Sequence, residues 1–491
     1  MVALPLPLPK RLVIIAGLVV FALLLACFRL AARCDDGYCA LLLPAAASRQ
    51  SASRPGAQVA GADGHGDGDD DVVVAARKCA GFPDTSSVLL VMKTGASEAF
   101  ARVPNQLLTS LSCLSDYLFF GDLEMTVAGH TIHDSLEAVA SDVKLSNKDF
   151  DIYHRQRACG ADLASCNKGF DVGQEAWNLD KYKNIHMAEK TYALRPNYDW
   201  YLFVDADTYV VWPTMMSWLE RLDARKRHYL GSIAYVGNFP FAHGGSGYLV
   251  SQAAMSDMYR GREGVGSRWD DFITKQCCGD FAFSYALRNE TGIDVQGAWP
   301  TVNGEKPYTI PFSERSWCRP IATMHHVEAD EVSDLWAWER ERRFARPLRI
   351  RDVYHRFVEG KLQAVREDWD NLSEAAHYLN ASAYAYSDSE RDGAKKGDLS
   401  ALELVAHHSF DDCRRVCQSV DRCMQYHFRN GICSIGHDIR HGKPVKPEKE
   451  EHKAQWQHRS GWMVKRIQDW VAAHDECGNG VEWPVKDTWL S

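Results

Sequence analysis

Short apolar runs alternate with amphipathic stretches between Val88 and Ala234, and no other feature of the sequence restricts the fold as much. Ser87-Val-Leu-Leu-Val-Met92 and Asp116-Tyr-Leu-Phe-Phe120 are bounded by turn residues, and the segment between them has helical periodicity. That pattern predicts a strand, helix, strand unit. The same reading gives a helix over His186–Leu194, a buried strand over Trp200–Val204, a helix over Met215–Leu222 and a strand over Tyr229–Ala234. Such alternation predicts an α/β domain on a mixed, largely parallel sheet, whose ligands bind at the carboxyl ends of the strands.

Residues at those ends are the first to read for chemistry. In Tyr201-Leu-Phe-Val-Asp205-Ala-Asp207-Thr-Tyr an apolar strand runs into two carboxylates one residue apart. Alternate side chains of an extended segment share a face, so Asp205 and Asp207 can both face one hard cation such as Mn²⁺ or Mg²⁺. In Phe241-Ala-His-Gly244-Gly245-Ser246-Gly247 the glycines let backbone approach a ligand closely; the plainer alternative is a tight turn before a helix. In Lys275-Gln-Cys277-Cys278-Gly279-Asp280 one acid opens an amphipathic stretch. Asp280 is either a proton acceptor or a carboxylate favoured by a helix N-terminus. His325 and His326 follow an apolar segment; as neighbours in a strand they would point to opposite faces, so at most one would serve as a nitrogen ligand.

The chain has 491 residues, room for two or three domains. Its 56 basic and 65 acidic residues leave a net charge of −9, and no basic stripe is present to bind nucleic acid. Residues 12–28 are uncharged and mainly aliphatic, long enough for one membrane span behind a cytosolic tail over 1–11; a cleaved signal peptide is the alternative. Residues 29–78 contain a Gly-, Ala-, Ser- and Asp-rich run that reads as a flexible stem. Of 15 cysteines one lies in the span, and the other 14 suit a disulfide framework in an oxidising lumen. Sequons at Asn289, Asn371 and Asn380 agree with that compartment. Residues 346–400 are rich in charge and read as a helical linker between a domain over 79–345 and a module over 401–491. In that module Cys413, Cys417, Cys423 and Cys433 predict a small stapled α+β unit.

The four constellations, in this order, resemble glycosyltransferase family 31, with the Fringe and core 1 β-1,3-galactosyltransferase branch nearest. The likeness runs from Val88 to Val327. Lys93-Thr94-Gly95 and Arg102 resemble the family's nucleotide-binding first strand and helix, and Trp177-Asn-Leu-Asp-Lys-Tyr-Lys-Asn-Ile its lead-in to the acidic motif. Asp205-Ala-Asp207-Thr-Tyr is similar to its Asp-Asp-Asp-Thr-Tyr, with Ala206 in place of the middle acid. Gly244-Gly245-Ser246-Gly247-Tyr is similar to the glycine segment that lines its sugar and acceptor site. Gly279-Asp280 keeps only the second acid of its late pair. Cys413-x3-Cys417-x5-Cys423-x9-Cys433 with Gly442 resembles a PAN or apple domain.

The resemblance implies a GT-A-type, Rossmann-like nucleotide-sugar domain in a single-pass type II membrane protein of the Golgi, with the endoplasmic reticulum as the alternative. It implies metal-dependent, inverting transfer of a hexose or N-acetylhexosamine from a UDP-sugar to a hydroxyl of a glycan or glycoprotein acceptor, with a β-1,3 linkage expected. Asp280 would be the base. Asp207 and His325 would hold Mn²⁺ or Mg²⁺ with help from Asp205; a one-residue slip would exchange His325 for His326. Lys93, Thr94, Gly95, Arg102, Asp205, Gly244 and Gly245 would contact the donor. The cysteine module is a candidate binder of protein or carbohydrate, and in it Cys413 would pair with Cys433 and Cys417 with Cys423. Odd cysteine counts on either side of the linker leave a bridge from Cys477 to the larger domain as one resolution. Two rival readings remain: a membrane-anchored glycan- or protein-binding pseudoenzyme, and a phosphohydrolase using Asp205-x-Asp207-x-Thr with an aspartyl nucleophile.

Overall fold

The computed structural model describes residues 78–159, 162–380, 386–447 and 456–487. The expected tail, membrane span and stem lie outside the described residues, apart from Lys78. Among the described residues no helix is long and apolar enough to cross a membrane.

The chain is a mixed α/β protein. Its first twelve strands are β1 Val88–Lys93, β2 Tyr117–Gly121, β3 Met125–Val127, β4 His130–Asp134, β5 Trp200–Asp205, β6 Tyr209–Val210, β7 Tyr229–Gly231, β8 Ile233–Val236, β9 Phe239–Ala242, β10 Tyr248–Ser251, β11 Gln296–Gly297 and β12 Thr323–Met324. Eight of them form one sheet in the order β11-β7-β10-β5-β1-β2-β4-β3. The β5-β1-β2-β4 centre is parallel, while β10 runs antiparallel between β5 and β7.

All six residues of β1 are buried, which is why the sequence there is a continuous aliphatic run rather than an alternating one. Its odd and even positions serve two cores. Leu89 and Val91 join Phe120, Tyr201 and Phe203 on one face, under helices Lys183–Leu194 and Gly279–Thr291. Val88, Leu90 and Met92 join Trp200, Leu202 and Val204 on the other, under helices Ala99–Leu108 and Trp212–Leu219.

Three local expectations change. The helix expected from Met215 begins at Trp212, because Pro213 fits a first helical turn. The strand expected over Tyr229–Ala234 splits: β7 stays in the sheet, and β8 leaves it to pair with β9. The glycine segment leads into the buried strand β10 before helix Gln252–Tyr259 starts, capped by Ser251.

The remaining strands are β13 Val365–Glu367, β14 Trp369–Asp370, β15 Ala376–Leu379, β16 Gln425–Arg429, β17 Ile432–Gly436, β18 Lys443–Pro444 and β19 Arg459–Trp462. Five of them form an antiparallel sheet, β13-β19-β16-β17-β15. The expected helical linker over 346–400 is therefore corrected: after short helical turns to Lys361, it supplies β13, β14 and β15. β13 and β15 are edge strands; Val365-Arg-Glu367 carries part of the charge that made the segment read as helix, whereas β15 carries none and is set by its pairing with β17. Bridges Cys413–Cys433 and Cys417–Cys423 staple this sheet to helix Phe410–Ser419, and Cys318–Cys477 ties the chain's end to the larger unit. One apolar cluster containing Tyr209, Trp317, Tyr354, Ile439, Trp462 and Ile467 spans both regions, so they share a core.

One sequon is corrected as well. Asn371 is fully buried and donates to the carbonyls of Tyr426 and Gly461, leaving it no access to a glycan, whereas Asn289 is exposed.

Candidate functional site

β1 and β5 run parallel with Lys93 opposite Asp205, so both strands deliver their last side chains to the same end of the sheet. The acidic loop beyond β5 is pinned there by its backbone. Ala206 N donates to the Lys93 carbonyl at 2.8 Å, and the Gln106 side chain donates to the Ala206 carbonyl at 2.9 Å. Buried Thr208 donates to the Gly245 carbonyl at 2.8 Å, locking the acidic loop to the glycine loop.

Asp207 faces both histidines. His325 Nε2 is 3.3 Å from its Oδ1, and His326 Nδ1 is 3.8 Å from its Oδ2. One ligand atom from each residue of Asp207, His325 and His326 lies within 4.8 Å of the others. The expectation that neighbouring histidines diverge fails because β12 ends at Met324, and His326 turns the chain with a φ of 58°. Burial acts to raise the Asp207 carboxyl, but its pairing with His325 and His326 overcomes this and holds it far below the usual carboxylate range. That pairing also raises the His326 imidazole against its partial burial. His325 is buried, and its Nδ1 has no hydrogen-bond partner among the described residues. One carboxylate and two imidazoles form a mixed oxygen and nitrogen donor set, which fits Mn²⁺ better than oxygen-seeking Mg²⁺.

Asp205 stands apart from this cluster. Its Oδ1 is 3.3 Å from Lys93 Nζ, which also binds Asp180. Asp180 in turn accepts from Lys183 at 3.2 Å, and Lys183 reaches the Thr94 carbonyl at 3.1 Å. Burial opposes charge on Lys93, yet Asp180 and Asp205 keep its ammonium above the ordinary lysine range. Burial likewise works to raise Asp180, but Lys93 and Lys183 bring it down to about 2. For Asp205 burial wins and the carboxyl is raised, with Lys93 opposing and Asp180 adding to the rise.

Gly244 and Gly245 join the two halves of the site. Gly244 N donates to Asp280 Oδ2 at 2.7 Å, and a Cβ at Gly244 would sit 3.2 Å from the Cβ of Asp280. A Cβ at Gly245 would overlap the His325 ring. A side chain is thus excluded at Gly245 and crowded at Gly244, and Asp280 and His325 abut consecutive residues. Asp280 lies in the first turn of helix Gly279–Thr291, as its helix-terminus reading expected, and its Oδ1 accepts from Phe281 N at 2.8 Å.

A cavity of about 740 Å³ opens over these groups, lined by Lys93, Thr94, Gly95, Asp205, Asp207, Gly244, Gly245, Asp280 and His325. Its size suits a small-molecule ligand. The expected site residues therefore converge, with one exception: Arg102 pairs with Glu328 at 3.1 Å and does not line the cavity. Sequence reasoning missed Asp180, Lys183, Trp177 and the Cys277–Cys278 bridge, all of which line it. Asp180 and Trp177 lay inside the quoted Trp177-Asn-Leu-Asp lead-in, where an acid in an amphipathic helix carries no sign of which cation it meets. A comparison with protein-family models finds no match for this chain, and neither does one with curated proteins.

Proposed function

We propose that this chain is a metal-dependent glycosyltransferase that moves a sugar from a UDP-sugar to an acceptor hydroxyl with inversion. The observation that carries the reading is the Gly244-Gly245 dipeptide. It sets a carboxylate, Asp280, and a three-residue metal-type cluster against adjacent residues at the mouth of one cavity. Bound between Asp207, His325 and His326, Mn²⁺ would supply positive charge to the diphosphate leaving group.

The rest is done by the chain. Lys93, Thr94 and Gly95 line the side of the cavity where the nucleotide would lie, and Lys93 keeps Asp205 fixed as an acceptor for a ribose hydroxyl. Asp280 faces the incoming hydroxyl. Two of its lone-pair positions are taken by Gly244 and Phe281 amides, which orient the carboxylate and leave others free to accept a proton. The acceptor oxygen forms a bond to the anomeric carbon as the bond from that carbon to the β-phosphate oxygen breaks. The acceptor's proton passes to Asp280, and the departing electron pair stays on UDP. Six bridges among the described residues fit an oxidising lumen, and residues 12–28 would anchor the chain in a Golgi membrane.

The test is UDP release by the full chain from UDP-galactose, UDP-glucose and UDP-N-acetylglucosamine, in Mn²⁺ and in chelator. Metal-dependent release is expected. Asp280→Asn should cut turnover at least about 100-fold while UDP still binds in Mn²⁺; near wild-type turnover in that variant rejects the assignment.

A further inference from the structure

The cavity has a second wall, and its chemistry differs from the ionic one. Cys277 and Cys278, neighbours in sequence, are bridged to each other, and the bridge ends one residue before the helix that carries Asp280. Both cysteines line the cavity, Cys277 exposed and Cys278 half-buried. Trp177 joins them with 59% of its surface exposed, together with Val172 and Ala176 from the same helix, Val172–Asp180. No ring partner is recorded for Trp177 among the described residues. With Val172, Ala176 and the bridge beside it in the lining, the indole is part of an apolar wall rather than a lone exposed ring, and such a wall suits an apolar ligand face.

A bridge between adjacent cysteines closes a small ring in which one peptide group is the polar part and the two sulfurs present a polarisable face. The side chains of this wall, sulfur and indole, therefore offer mainly apolar contact area beside the candidate base. Lys93, Asp205, Asp207 and His325 hold the charged side of the cavity, which suits a nucleoside diphosphate and leaves the sulfur and indole side to the other substrate. That substrate must present a hydroxyl to Asp280 and an apolar face to the wall. A pyranose does both, since its hydroxyls lie around the rim and its C–H bonds cover a face.

Resting on the transferase reading and on the glycan acceptor it implies, we infer that the Cys277–Cys278 bridge and Trp177 form the acceptor subsite, the surface that selects a pyranose ring over a peptide hydroxyl or a small alcohol. The ring lies face-on to this wall while one hydroxyl reaches Asp280.

The experiment uses the full chain, saturating UDP-sugar and Mn²⁺, with methyl β-galactopyranoside, methyl α-N-acetylgalactosaminide, glycerol and N-acetylserine amide as acceptors. Pyranosides alone should raise UDP release above the donor-only rate. In the double variant Cys277→Ala with Cys278→Ala, and separately in Trp177→Ala, the pyranoside KM should rise at least tenfold with kcat changed less than threefold. UDP affinity in Mn²⁺, read by calorimetry, should stay within twofold, which also reports that each variant is folded. An unchanged KM in both variants overturns the subsite, as does equal use of glycerol or the serine amide. If the wild-type chain binds UDP and hydrolyses donor yet shows either result, only this inference falls; if it binds no UDP, the transferase reading falls and takes the subsite with it.

Discussion

Asp205 stands opposite Lys93 in the register of the two central parallel strands, inside a set of alternating charges with Asp180 and Lys183 in which the lysines are buried and the carboxylates half-buried. Asp207, two residues on, meets His325 and His326 instead. The first carboxylate is compensated by a permanent cation. The second is compensated by groups that can give up their protons, so a metal ion can take their place beside it. An Asp-x-Asp sequence treats the two acids as equivalent; the residue across the sheet makes them different.

The largest expected effect separates them directly. Asp207→Asn in the full chain should weaken Mn²⁺ binding at least about 100-fold, past what loss of an outer partner costs, while Asp205→Asn should stay within about tenfold. Titration followed by the Mn²⁺ electron-spin signal reads both. Equal losses would put both carboxylates on the ion and erase the distinction.

Stability should show the reverse order. Lys93 is 9% exposed, and Lys93→Met leaves Asp180 and Asp205 without their shared cation; because both carboxylates are only half-buried and Asp180 keeps Lys183, the cost should fall below the about 3–5 kcal/mol of a fully buried pair, at about 2 kcal/mol. His326 has a side chain 67% exposed, and His326→Ala should move stability by no more than about 1 kcal/mol. Urea midpoints of the full chain measure both. Adding Asp205→Asn to Lys93→Met should recover part of the loss, because it removes one stranded charge; no recovery would mean that Lys93 acts through packing of its stem rather than through charge.

How much of this was legible depended on whether the deciding neighbour was local. β1, β2 and β5 announced themselves as aliphatic runs because strands covered on both faces need them, and the acids and glycines at their ends could be read as one site. The divergence rule for adjacent strand residues did not extend to His325 and His326, since it lapses where the strand stops, and only the backbone shows that β12 stops at Met324. Arg102 looked like a ligand contact, yet it meets Glu328, which lies 226 residues away in sequence. The edge strands β13 and β15 were hidden for the same reason: their pairing with β19 and β17 is nonlocal. Bridges could be counted, but an adjacent pair such as Cys277–Cys278 offers no spacing to read.

A third acid sharpens the contrast between the first two, because among the described residues it has neither a close lysine nor an imidazole. Glu339 is 2% exposed and accepts from the Tyr209 hydroxyl on β6, just behind the acidic loop. Burial raises its carboxyl from 4.5 to about 8, with the Tyr209 hydrogen bond and Arg342 only partly opposing. The folded chain thus binds a proton here that the unfolded chain releases above its ordinary range. The stabilisation is fully present below about pH 4.5 and is lost as pH rises toward about 8. One proton is worth about 1.4 kcal/mol per pH unit, so between about pH 5.5 and pH 7.5 the loss is at most about 2.7 kcal/mol. Glu339→Gln keeps an acceptor for Tyr209 and cannot ionise. Its melting temperature should therefore fall less than that of the wild-type chain between those two pH values, and the two should come closest at the acidic end. Parallel pH profiles would mean that Glu339 is charged in the folded state, with Arg342 serving it as Lys93 serves Asp205.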